Sequence, residues 1–177
     1  MNVTGVDAVA YGVKDIPEAK RFWADFGLIP VEDGTAGASY RTLNDATVVV
    51  RALDDRSLPP PIESGSTMRD VVWGVRAKSD LESIAAELAR DRAVRQDGDG
   101  TLHSSDPQGI GIAFRVTRCK PVQVANPEFN MPGRPGRINK RGKFYTLAQP
   151  AERTHVVFMV DKLEQQRDFY VDRLGFK

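Results

Sequence analysis

The chain has a single cysteine, Cys119, among 177 residues, so no internal disulfide can staple it. A reducing cytoplasm is its simplest home. Cys119 has no neighbouring His, Cys or helix start to activate it, and reads as a small buried hydrophobe. No apolar run approaches the ~18 residues of a membrane span. The opening residues, Met1 to Asp7, show neither a basic stretch nor an apolar one, so no signal peptide is visible. Net charge is only +1, which argues against a field that gathers nucleic acid or acidic lipid. Histidine is scarce, with only His103 and His155. What is present is ordinary: 41% hydrophobic and 28% charged residues, enough for a globular core and incompatible with a disordered or fibrous chain.

The charge is unevenly placed. Residues 118–153 carry eight basic side chains against Glu128 and Glu152, a net of +6, leaving −5 for the rest. Eight Pro and Gly residues between 121 and 150 interrupt that stretch, and Phe129, Phe144 and Tyr145 form no regular stacking ladder. It reads as a solvated linker over 119–150 and not as a nucleic-acid arm.

An internal repeat organises the remainder. Val9-x-Tyr11-x-Val13, Val71-x-Trp73-x-Val75 and Val156-x-Phe158-x-Val160 alternate as strands do, with bulky residues on one face. The opposite faces carry Ala8, Ala10 and Gly12, then Asp70, Val72 and Gly74, then His155, Val157 and Met159. Each strand precedes a capping pattern: Asp15-x-x-Glu18, Ser79-x-x-Glu82 and Asp161-x-x-Glu164. Helical spacing follows, and Ile16, Ala19, Phe22, Trp23 and Phe26 are expected in the core. Three strand-like runs come after the first helix (28–32, 38–43, 47–53) and three after the second (93–96, 101–104, 109–116). The expected architecture is α+β, with β-α-β-β-β units paired over residues 1–118. Residues 151–177 then hold the first strand and helix of an incomplete third unit. Such a lone piece cannot bury its own apolar faces, so either the tail docks on another surface or, the favoured expectation, the chain is an amino-terminal fragment of a longer protein.

The phrases VDAVAYGVKDIPEAKRFWADFGL and THVVFMVDKLEQQRDFYVDRLGF, with SSDPQGIGIAF closing the second unit, resemble the vicinal oxygen chelate superfamily. That superfamily includes glyoxalases, bleomycin-resistance proteins and type I extradiol dioxygenases. The resemblance implies two units facing each other around an open cup, with metal ligands on the first and last strands of the units. It further implies the amino-terminal, metal-free pair of a two-domain extradiol dioxygenase, followed by the opening of its metal-binding domain. His155 stands where the superfamily places a first metal-binding histidine. Ala8 and Asp70 occupy the equivalent positions of the first two units, and Ala113 stands where a glutamate is usual. One carboxylate cannot hold a divalent ion alone, so residues 1–118 are expected to bind none, and Asp70 to be a solvated or interface carboxylate.

The function so implied is Fe(II)-dependent ring cleavage of a small catechol-type aromatic, with Mn, Zn or Ni as alternative metals. Two His and one carboxylate leave metal positions for catecholate and dioxygen. The remaining ligands would lie beyond Lys177, so the chain alone is expected to be catalytically incomplete. Two alternatives stand beside this reading: a metal-free binder of the bleomycin-resistance type, and a glyoxalase-like isomerase. His103, in a polar hairpin-like stretch, reads as an exposed turn-side histidine. Asp97-Gly98-Asp99-Gly100 lacks the continuation of a calcium loop and reads as a turn. The unpaired piece at 155–177 invites association with a second chain, so a homo-oligomer is expected.

Overall fold

The computed structural model describes residues 1–123 and 145–176. Two β-α-β-β-β units build one eight-stranded sheet. The first comprises β1 (Val3–Val13), α1 (Ile16–Asp25), β2 (Ile29–Gly34), β3 (Gly37–Arg41) and β4 (Thr47–Ala52). The second comprises β5 (Thr67–Val75), α2 (Lys78–Leu88), β6 (Arg95–Gln96), β7 (Leu102–Ser105) and β8 (Gly111–Val116). Strand order is β2-β3-β4-β1-β5-β8-β7-β6, so each unit brings its first strand to the centre. β1 runs parallel to β4, β5 runs parallel to β8, and β1 and β5 meet antiparallel. The repeat read from the sequence is therefore a pseudo-two-fold relation about the β1–β5 junction.

The bulky strand faces are buried beneath the helices, as the alternation requires. Val9, Val71 and Val75 are almost fully covered, and Phe114, Ile112 and Leu102 join Leu81, Ile84 and Leu88 from α2. A second core gathers Val6, Val48, Val50, Tyr40 and Leu28 on the first unit. Asp15 caps α1 as its pattern predicts, accepting a 2.8 Å hydrogen bond from Glu18 N.

Several expectations need correction. Phe22 and Phe26 are not core: they are 56% and 53% exposed, because α1 touches the sheet mainly through Ala19 and Trp23. Ser79 does not cap α2, which begins after Ala77, leaving Ser79 inside the first turn. Asp161 does not cap the third helix either; Lys162 holds that position without a side-chain bond.

The third strand pattern also differs. Residues 151–160 pair with no strand among the described residues, although Val156, Phe158 and Val160 face inward and His155, Val157 and Met159 face out. The segment is extended because its alternate side chains find an apolar surface, Phe158 stacking on Tyr170 at 6.0 Å. Its ends are tied by Leu43 N to Pro150 O at 3.0 Å and by Asp161 N to Gln108 Oε1 at 3.1 Å. Beyond it, α3 (Leu163–Arg167) widens into a π turn over Asp168–Arg173. Phe169 and Leu174 are buried in the α2 core, and Arg173 bonds Glu87 at the end of α2 and Asp91 just beyond it. The inward apolar face of 151–176 is thus covered by the first two units, whereas Val157, Met159 and Leu163 stay exposed. Most of the expected linker, 124–144, lies outside the described residues.

Candidate functional site

Two buried charges shape the cup from below. The central pair has three register irregularities, and two of them are bulges that insert an extra charged residue: Asp7 in β1 and Arg69 in β5. By the repeat these are equivalent positions, and each meets a glycine of the other strand. A Cβ on Gly74 would lie 2.3 Å from Asp7 Oδ1, and one on Gly12 would lie 2.8 Å from Arg69 Nη1. Asp7, only 1% exposed, receives hydrogen bonds from Arg115 Nε at 3.0 Å, Thr117 Oγ1 at 2.7 Å and Arg118 N at 2.9 Å. Arg69 donates to Pro59 O at 2.6 Å and Leu53 O at 3.0 Å. It thereby holds the loop 53–66 across the floor of the cup, with Pro59 over Gly111.

The polar constellation lies on the second unit. Asp70 is paired across to Gly111, His103 to Ala113, and Arg95 to His103. Residues two apart on neighbouring strands share a face, so Asp70, His103, Arg95 and Ser105 all look into the cup. They line an open cavity of about 450 Å³, bordered on another side by Ser57, Leu58 and Pro59. His103 Nδ1 is 3.6 Å from Asp70 Oδ2, and Nε2 is 2.8 Å from Asp97 Oδ2. The second approach is an ion pair misaligned for a hydrogen bond. Asp97 also pairs with Arg95. Asp70, with Asp97 adding to it, raises the His103 pKa above the ordinary 6.5 despite the opposing effect of burial.

Neither member was legible as such. Asp70 is 7% exposed, not a solvated carboxylate, and the His103 side chain is 22% exposed, not free at a turn. Period-2 phase placed Asp70 on the small-residue face. What it could not supply was that β7 returns His103 to the same face two strands away.

The other candidates fall elsewhere. Ala8 and Ala113 are buried in the sheet and offer no donor atom. Among the described residues no group of three His, Cys, Asp or Glu could hold a metal ion. His155 is exposed, with Thr154 Oγ1 3.0 Å from its Nδ1. The residues of the first two units therefore do not fit a metal centre, and His155 is at most one ligand of one. The Cys119 thiol is pushed up to about 11, chiefly by burial and then by Asp7, so it is not a poised nucleophile. No described helix is long and apolar enough to cross a membrane.

No protein-family model matches the chain, and no curated protein matches it in sequence. Solved structures do match its fold. The Mn(II)-bound glyoxalase from Novosphingobium aromaticivorans superposes with a TM-score of 0.63 at 19% identity, over 99% of this chain and 54% of its own. A catechol 2,3-dioxygenase gives a TM-score of 0.63 at 22% identity, over 99% and 58%. BphC, a halotolerant catechol dioxygenase, gives 0.68 at 15% identity, over 99% and 56%. The chain thus spans little more than half the length of each. Two paired β-α-β-β-β units around a cup, shared with glyoxalase and extradiol dioxygenase structures, are the vicinal oxygen chelate fold, and that is the fold of this chain.

Proposed function

We propose that the chain is the amino-terminal portion of an Fe(II)-dependent extradiol ring-cleavage dioxygenase acting on a small catechol-class aromatic. In this reading residues 1–118 are a metal-free supporting pair, 119–150 a basic linker, and 151–177 the opening of the metal-binding domain. His155 supplies that domain's first metal ligand. The reading places the protein in the cytoplasm, as a homo-oligomer. The observation that carries it is the cup itself. Its strands have the shared fold, yet Ala8 and Ala113 stand at the ligand positions, and Asp70 is engaged by His103. A pair so built can support a catalytic domain but has no donor set of its own. The likeness to catechol dioxygenase structures, over about half their length, supports placing the chemistry in a further pair of units.

Anaerobic loading with Fe(II), followed by metal analysis and a catechol-cleavage assay, tests this. The chain itself should retain far less than stoichiometric iron and cleave no catechol. The natural protein that contains it should bind one iron per chain and lose both iron and turnover on His155→Ala. Stoichiometric iron or undiminished turnover in the natural protein carrying His155→Ala would overturn the assignment.

A further inference from the structure

The cavity in the second unit has the volume and the few convergent polar groups of a small-molecule site. One of its walls holds an unsatisfied acceptor. The Asp70 side chain is nine-tenths buried, and its Oδ1 receives no hydrogen bond among the described residues. A buried carboxylate oxygen left without a donor is costly, and a bound donor relieves that cost. The charge around it is lopsided. Arg95 is taken by Asp97, and His103 lies between the two carboxylates. With the imidazole neutral the four groups sum to one negative charge, and Leu58, Pro59 and Ala93 add apolar wall.

We infer that this cavity binds a small organic ammonium ion, its N–H donors satisfying Asp70 and its carbon body resting on Leu58 and Pro59. An organic anion would face two carboxylates. A neutral hydroxyl compound could supply a donor but not the compensating charge. The groups facing His103 are Asp70 from β5, Asp97 from the turn after β6, and Arg95 on β6. Protonation of His103 therefore competes with the ligand's charge, and affinity rises with pH as the imidazolium is lost. The inference does not rest on ring cleavage, since it concerns only a cavity of the first two units.

Titration of the intact chain with benzylamine, and with benzyl alcohol and benzoate as probes of similar size, followed by amide NMR, tests it. Benzylamine should saturate, shift the resonances of His103, Ser104 and Ser105, and bind more tightly on the alkaline side of neutrality. Benzoate should not bind. Asp70→Asn should weaken benzylamine about tenfold or more, the loss of a charge-assisted bond. His103→Gln should keep binding but remove its pH dependence. Because Asp70→Asn could disturb folding, Ser105→Trp at the exposed rim provides an independent block and should abolish binding while leaving the spectrum dispersed. Benzoate binding as well as benzylamine, benzylamine failing to saturate in the millimolar range, or Ser105→Trp binding normally would each overturn the site.

Discussion

Gly74→Ala is the sharpest test of how the two units are joined. The new Cβ would lie 2.3 Å from Asp7 Oδ1 and 2.9 Å from both Cβ and Oγ1 of Thr117. Neither neighbour is the loose end of a flexible chain. Asp7 is held by Arg115, Thr117 and Arg118 N, and Thr117 N is itself bonded to Val75 O at 2.9 Å. Relief therefore requires either a shift between β1 and β5 or breakage of the Asp7 bonds. Overpacking of this kind costs about 1–3 kcal/mol, and each lost bond to a charged group adds about 1.5–3 kcal/mol. The expected destabilisation is about 3 kcal/mol, or ~6–12 °C in Tm for a domain of this size. Urea unfolding followed by tryptophan fluorescence should show a lower midpoint with an unchanged slope. Gly98→Ala, where the added Cβ meets nothing within 4 Å, serves as control and should stay within about 0.5 kcal/mol. Asp7→Ala is itself destabilising, since it strands Arg115. In that background, however, Gly74→Ala should cost at least ~1 kcal/mol less than in the wild type. A Gly74→Ala protein as stable as wild type, or strict additivity with Asp7→Ala, would refute the packing argument.

Three further outcomes are expected. Histidine NMR titration should place the His103 pKa above 6.5, and Asp70→Asn should lower it. Because the folded state favours the imidazolium, that interaction stabilises the fold below the ordinary pKa and is lost as pH rises through the raised one, so the stability gap between wild type and His103→Gln should close on the alkaline side. Leu174→Ala, at a fully buried position against α2, should cost about 2–5 kcal/mol. It should also release hydrogen-exchange protection in 163–176; unchanged protection would show that α3 does not depend on this core. Phe22→Ser and Phe26→Ser, on the exposed side of α1, should each change stability by no more than about 0.5 kcal/mol, and a loss of several would restore the core assignment.

Much of the architecture could be read in advance because strand and helix periods act locally. Val9-x-Tyr11-x-Val13 and Val71-x-Trp73-x-Val75 declare their buried faces without reference to anything distant. The same logic failed at Val156-x-Phe158-x-Val160, where alternation predicts which side chains are covered but not that the backbone has a neighbour to pair with. It failed again at Phe22 and Phe26. Helical spacing cannot tell how wide a stripe of α1 the sheet will cover.

Sequence by itself determined the two-fold repeat, the eight strands of the paired units and the small-residue face of the cup. Each depends on residue type and on spacing within one element. Tertiary structure alone decided that Asp7 sits under Gly74 and Arg69 beside Gly12, because bulges fix which residue of a strand faces its pseudo-symmetric partner. It alone brought Asp70, 33 positions before His103, within 3.6 Å of that imidazole. That contact crosses two strand pairings, β5 with β8 and β8 with β7. Their registers are set by the whole sheet, and no local pattern encodes them.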